Sequence, residues 1–251
     1  MFDEAIARLS EGAELSEKAG FLIGQIYPRL MLALTYTDLG AMQKARAVAE
    51  IAHSVASDKV GQFSDAAIAV LAEVCVRSGD LERGVALLQE LSSDVAKSDL
   101  FLAAYVYAAT AEIALYNGDY ARTLELAEVA AERVSYVSGR IFTPELALYS
   151  AAALAGMGET DRALHELADG LRIAKEISNR RVLWQIAAMQ AALLAQVGDM
   201  EAAEASRAEA SEVVDFLLAH LSDPALRDSF LNLPAVRSLR ERETNTRNEI
   251  A

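Results

Sequence analysis

Apolar residues recur along most of this chain at helical spacing, and the same short polar string keeps interrupting them. The strings L-G-A-M-Q-K-A, S-G-D-L-E-R-G, N-G-D-Y-A-R-T, M-G-E-T-D-R-A and V-G-D-M-E-A-A place glycines at Gly40, Gly79, Gly118, Gly158 and Gly198, with separations of 39, 39, 40 and 40 residues. Each glycine stands between two helix-length segments and predicts a left-handed helix end, which a residue without Cβ adopts at little cost. An acid follows four of the five and suits the positive end of the next helix. The pattern predicts helices over about 2–19, 22–39, 41–57, 62–78, 80–96, 99–116, 119–136, 144–156, 159–177, 180–196 and 199–220. Thr143-Pro144 reads as a cap followed by proline in a first turn. Pro28 implies either a helix start at Tyr27 or a kink.

The register extends beyond the turns. Seven residues before each glycine stands an alanine: Ala33, Ala72, Ala111, Ala151 and Ala191. Five after stand Ala45, Gly84, Thr123, Ala163 and Ala203; twelve after stand Ala52, Leu91, Ala130, Gly170 and Ala210. Small residues at fixed places let antiparallel helices cross closely. Leu91 is the departure, and looser or shifted packing is expected there. Residues 2–19 hold the register of a second helix: with a turn glycine imagined before Met1, Phe2 aligns with Tyr120, Ala5 with Ala163 and Gly12 with Gly170. The expectation is a leading half repeat whose apolar face lacks its partner. Self-association through that helix is expected with it, in a chain that is the trailing part of a longer protein or a truncated one. Residues 1–220 form the repeat domain, 221–240 two short capping helices, and 241–251 a fraying tail.

At these residues the chain resembles the tetratricopeptide repeat, with a longer period than the family's usual one. The resemblance covers about residues 2–220 and implies an all-α, right-handed α-α superhelix of five full helix pairs plus the half repeat and cap. The period and the tail S-D-P-A-L-R-D-S-F-L-N-L-P-A-V-R resemble the C-terminal tetratricopeptide regions of bacterial STAND- or AAA-type signalling ATPases, which carry cyclase, kinase or DNA-binding domains. The resemblance implies a protein-interaction or regulatory module, a sensor or scaffold. Its partner would be a protein, a peptide or an upstream domain of the same polypeptide. A free-standing adaptor is the alternative reading, and an enzyme on a helical toroid a remote one.

Composition sharpens this in three ways. The net charge of −14 disfavours nucleic acid, since no basic stripe offsets it. The single cysteine, Cys75, excludes an intramolecular disulfide and fits a reducing cytoplasm. No signal peptide and no apolar run of membrane-spanning length appears, so no membrane partner is expected.

The search for chemistry finds no constellation. His53, His165 and His220 lie in three separate second helices, and Glu50-Ile51-Ala52-His53 is a single E-x-x-H where a di-iron bundle needs two. Gly156-Met157-Gly158 lacks the Gly-Lys-Ser/Thr of a phosphate loop. Cys75 falls on an apolar helix face and reads as an inert thiol. No cofactor, metal or catalytic activity is expected.

In tetratricopeptide arrays the first helix of each pair lines a concave groove. Carried onto this register, the resemblance implies a partner-binding groove of Tyr27, Asp38, Glu73, Arg77, Tyr105, Glu112, Tyr116, Glu145 and Gln185. Its centre, Glu73 and Glu112 beside Tyr105 and Tyr116, lacks the Lys/Asn set with which chaperone-binding members hold a carboxylate. It suits a segment carrying Lys or Arg among apolar anchors. The competing reading is that these residues only pack neighbouring pairs together.

Overall fold

The computed structural model describes residues 2–91, 100–135 and 140–241. It holds α1 (Phe2–Lys18), α2 (Leu22–Asp38), α3 (Met42–Lys59), α4 (Ser64–Arg77), α5 (Leu81–Leu88), α6 (Leu100–Tyr116), α7 (Tyr120–Ser135), α8 (Thr143–Gly156), α9 (Thr160–Glu176), α10 (Arg180–Gln196), α11 (Met200–Ala219) and α12 (Pro224–Leu231). A short 3-10 turn, Gly61–Phe63, leads into α4, and residues 234–241 are again helical. No strand occurs among the described residues.

Short glycine turns fold the helices into the pairs α2–α3, α4–α5, α6–α7, α8–α9 and α10–α11, and α1 packs on α2. The five turn glycines all have positive φ, from 70° to 88°. Ala33, Ala72, Ala111 and Ala151 have no exposed surface, and Ala191 keeps 3%. The second register is equally tight. At Gly84 a Cβ would lie 2.9 Å from the Ala72 carbonyl and 2.3 Å from Val76 Cγ2, so α4 and α5 touch nearly backbone to backbone. Ala111→Leu should therefore overpack the α6–α7 crossing and cost roughly 1–3 kcal/mol. Glu128→Ala, on the exposed face of α7, should stay within about 0.5 kcal/mol. Chemical denaturation of the two variants checks the register, and equal midpoints would refute it.

Three expectations shift. The fifth helix was expected to run to residue 96, but α5 ends at Leu88. It stops three residues before Leu91, the one position of the third register without a small residue, and residues 92–99 lie outside the described part. At Pro28 one of the two alternatives falls: α2 begins at Leu22, as the helix pattern expected, and carries Pro28 inside, so the helix does not start at Tyr27. The ring removes one backbone donor and crowds the carbonyl four residues back, here that of Gly24. The expected fraying of the tail lies beyond residue 241, outside the described residues.

The third shift concerns the two ends of the array, which meet. Leu39 and Ala41, at the α2–α3 turn, belong to one buried cluster with Trp184, Leu221, Leu226, Phe230, Val236 and Leu239. Phe230 stands edge-on to Trp184, with ring centroids 5.8 Å apart. Gly40 (φ 70°) sits so close to the last helices that a Cβ would lie 2.9 Å from the Ser229 carbonyl. Polar links cross the same seam. The Ser222 N–H donates to Asp3 Oδ2 at 2.7 Å, and Lys44 Nζ lies 3.3 Å from Asp223 Oδ2, which also belongs to the N-cap of α12. The capping segment thus bridges the last pair to the first. Phe2 and Ile6 of α1 pack against this cluster, so the start of the leading helix is covered; Leu15 near its end stays exposed, as do Phe21 in the following turn and Ile23 of α2.

Candidate functional site

The five first helices, α2, α4, α6, α8 and α10, surround a hollow in which a chain of polar contacts runs full circle. Asp38 at the end of α2 lies 3.7 Å from Arg77 Nη1 at the end of α4. Arg77 Nε and Nη2 both reach Glu112 Oε1 of α6 at 2.7 Å. The other Glu112 oxygen accepts from the Tyr149 hydroxyl of α8 at 3.2 Å, and Tyr149 also lies 3.4 Å from Glu145 Oε1, one turn earlier. Arg181 at the start of α10 donates to both oxygens of Glu145 at 3.0 Å. It closes the circuit on Asp38 Oδ2 at 3.3 Å.

Helix ends explain why the circuit can form. Asp38 and Arg77 come late in their helices and Arg181 early in its own, so the C-terminal end of α2 meets the N-terminal end of α10. That is the geometry of a superhelix that has climbed by about a helix length in one turn. Counted back from each turn glycine, the participants stand at 2 (Asp38), 2 (Arg77), 6 (Glu112), 9 and 13 (Tyr149, Glu145) and 17 residues (Arg181). At 1.5 Å per residue this drift of 15 residues is an axial displacement of about 22 Å.

Of the groove residues expected from sequence, Asp38, Glu73, Arg77, Glu112 and Glu145 do converge, but as one another's partners. Asp38, Glu73 and Glu112 are at most 8% exposed. Tyr105 also lines the hollow, edge-on to Phe142 at 4.7 Å, with its hydroxyl 3.4 Å from Met31 Sδ. Tyr27 is half-buried, and Tyr116 is 55% exposed at its helix end. Gln185 turns its amide to the Arg181 carbonyl at 3.0 Å and borders a separate hollow with Trp184 and Leu239. Arg181 and Tyr149 are the two participants that sequence reasoning missed. Tyr149 had one available signal, a hydroxyl-bearing ring on a helix whose large apolar residues, Leu146, Leu148 and Leu154, are otherwise aliphatic.

The contacts leave a cavity of about 670 Å³ between the five helices. Asp38, Glu73, Glu145, Arg140, Arg181, Tyr105 and Tyr149 are among its polar lining; Met31, Leu34, Ala108 and Phe142 supply apolar surface. Electrostatics inside are lopsided. Burial raises the Glu73 carboxyl well above its usual range, helped by repulsion from Glu112 and only partly opposed by Arg77. Burial also raises Asp38, against the pull of Arg181 and Arg77. Burial pushes Glu145 the same way, but its two-pronged pairing with Arg181 and the remaining contacts outweigh that and hold it below the usual range. Desolvation opposes charge on Arg77, yet the surrounding carboxylates win and hold it firmly protonated.

The other candidates are ordinary. Cys75 has no exposed surface, and its sulfur lies 3.5 Å from Arg46 Nη2. His165 is an exposed neighbour of Asp169, and His220 rests on Phe216. Among the described residues no group of three His, Cys, Asp or Glu is placed to hold a metal ion. Nor is any helix of those residues long and apolar enough to cross a membrane.

No protein-family model matches the sequence, and no curated protein matches it. Solved structures do. Over 80% of its length the chain superposes on the Signal Transduction ATPase with Numerous Domains (STAND) protein with a tetratricopeptide repeat sensor from Pyrococcus horikoshii, with TM-score 0.61 and 16% identity. It spans 31% of that protein's length. Over 100% of its length it superposes on BtubC (BKLC) from P. vanneervenii, with TM-score 0.50 and 15% identity, covering 92% of that chain. At such identities the likeness is one of fold: the chain is an all-α helical-repeat solenoid similar to the tetratricopeptide arrays that its glycine and alanine spacing resembles.

Proposed function

We propose that this chain is a regulatory interaction module that performs no catalysis, the sensor or scaffold portion of a signal-transduction ATPase, and that its working surface is the hollow inside the superhelix. The observation that carries this reading is the closed turn itself. An occupant of the hollow touches all five first helices at once, and the seam between the array's ends rests on the same Asp38–Arg181 contact that borders the hollow. An occupant that fits one curvature better than another shifts the equilibrium between a closed and a sprung seam by its differential affinity, and an attached domain reads the shift. The likeness to a STAND protein's sensor supports this assignment. The alternative reading is a free-standing adaptor that only tethers proteins.

The test follows hydrogen exchange at residues 38–41 and 221–231 while the chain is titrated with fractionated cytosolic metabolites and peptides. An occupant that binds should change exchange at both segments together. Occupants that bind without altering the seam would sink the sensor mechanism. A phosphate-loop ATPase encoded in frame or beside this chain separates the sensor reading from the adaptor one.

A further inference from the structure

Every helix pair has two edges, and the seam joins one of each kind. At the glycine edge the first helix of a pair hands over to the second; at the opposite edge the second hands over to the next pair. Inside the chain, the glycine edge of the first pair, Leu39 to Ala41, rests on the opposite edge of the last. There it meets Trp184 near the start of α10, and Leu221, Leu226 and Phe230 beyond the end of α11. Exposed apolar side chains gather on the same two kinds of edge elsewhere. Of the nine large ones among the described residues, Tyr116, Met157, Val197 and Met200 stand on the glycine edge, and Leu15, Phe21, Ile23 and Ile141 on or beside the opposite one. Only Ile51 lies mid-helix. Singly exposed apolar residues are ordinary on a protein surface, so it is their confinement to two edges that calls for a cause. Adjacent glycine turns also touch: a Cβ on Gly156 would strike the Tyr120 ring, so the glycine edge runs on from the α6–α7 pair to the α8–α9 pair.

We infer that a second copy of this chain docks head to tail on these edges, glycine edge against opposite edge, as a further turn of the same superhelix. The contact repeats between copies what the seam already makes within one, and the two apolar stripes continue that seam around the molecule. Charge selects the same pairing. The four glycine turns after the first carry Asp80, Asp119, Glu159 and Asp199 directly behind the glycine, and Glu82, Asp161 and Glu201 follow in the first turns of their helices. The arginines one step on, Arg83, Arg122 and Arg162, are held by Glu50, Glu125 and Glu159. Two glycine edges therefore repel each other. The opposite edge carries exposed Lys18, Lys59 and Arg180, and two of its acids, Glu17 and Glu176, are paired with Arg29, Arg140 and Arg172. Helix dipoles account for the split, because acids suit the starts of the second helices and lysines their ends. The first pair departs from this pattern in the expected way. Ala41 replaces the acid, and Lys44 faces Asp223, at the glycine edge that the chain covers by itself. A head-to-tail contact uses different surfaces on the two copies, so each pair of copies keeps a free edge at both ends and growth does not stop at two. The inference stands whether or not the hollow is the working surface.

Sedimentation equilibrium of the full chain over a concentration series is the test. The average mass should climb past that of two chains without reaching a plateau. Met157→Lys with Val197→Lys puts cations on the acidic edge and should weaken association at least about tenfold. Phe21→Glu with Ile141→Glu puts acids on the opposite edge and should do the same. All four side chains are exposed, so the melting temperature should stay that of the parent. The single changes Val197→Lys and Phe21→Glu should each act in the same direction. Mixed in equal amounts, the two double variants should associate again: each supplies the intact edge that the other lacks, and the two altered edges now attract. Ile51→Lys, exposed but away from both edges, should associate as the parent does. A chain that stays monomeric at every concentration overturns the inference. So does a mixture that fails to recover association, or a loss of association in Ile51→Lys. A closed dimer that one double variant abolishes and the other leaves intact overturns it too, because that is a contact between like edges.

Discussion

Arg77→Met should destabilise the fold by roughly 3–5 kcal/mol, because it strands the buried carboxylates of Glu73 and Glu112 and leaves Asp38 to Arg181 alone. Arg77 contacts Asp38, Glu73 and Glu112 from a side chain only 15% exposed, and no other cation in the circuit reaches Glu73 or Glu112 within ion-pair distance. Methionine keeps much of the stem's volume, so the loss reports charge and hydrogen bonding more than a cavity. The effect has a definite pH sign. Glu73 and Asp38 already sit above the ordinary carboxylate range, so the folded state holds protons there that the unfolded chain releases. Stability from these groups therefore falls as pH rises from the ordinary carboxylate range through their raised ones. Removing Arg77 raises them further and steepens that fall. Denaturant melts at mildly acidic and at neutral pH should show the variant closest to the parent at the acidic end. Adding Glu112→Gln to Arg77→Met should recover part of the loss, because it removes a stranded charge. A variant equally destabilised at all pH values would mean that packing, not charge, is what Arg77 supplies.

Phe230→Ala should cost roughly 3–5 kcal/mol as a large ring removed from a buried site. Phe230 keeps 1% exposure, packs edge-on against Trp184, and shares its cluster with Leu39 and Ala41 from the other end of the array. The loss should therefore be felt far along the chain. Amide exchange should quicken at residues 39–41 as well as along α12, whereas the α6–α7 pair should keep the protection of the parent. Exchange that quickens only around residues 224–231 would show that the seam does not couple the ends. At about 2–4 °C per kcal/mol for a chain of this size, the melting shift lies well outside measurement error.

The repeat was legible because its signals are local. A left-handed turn needs glycine, and a close crossing needs a small side chain, so both leave fixed marks at 39–40-residue spacing. Even the irregular helix announced itself through Leu91, although its early stop at Leu88 did not follow from composition. The site was half legible. A constant offset from each glycine finds residues of one kind along the array, but a superhelix with pitch brings together residues whose offsets drift. Glu73 and Glu112 share an offset of 6, and Glu145 at 13 was found because that offset belonged to the groove set. Arg181 at 17 and Tyr149 at 9 lay outside it. Nor could burial of the acids be read, since an acid on a helix is ordinarily a solvated one. Closure of the turn, which buries them, depends on the accumulated twist of several pairs and on no single residue.

The closed seam changes how the chain must come to be folded. In an open array every contact lies within one or two repeats, and order can start at any pair and spread to its neighbours. Here Asp38 meets Arg181 across 143 positions, Lys44 meets Asp223 across 179, and Asp3 meets Ser222 across 219. Each is a long loop if closed early, and early closure is entropically opposed. Once the intervening pairs have formed, their curvature delivers the ends to each other and little freedom is left to lose. The seam is thus the last part to form and the first to part. Its residues govern how fast the molecule opens while leaving the rate of folding nearly untouched.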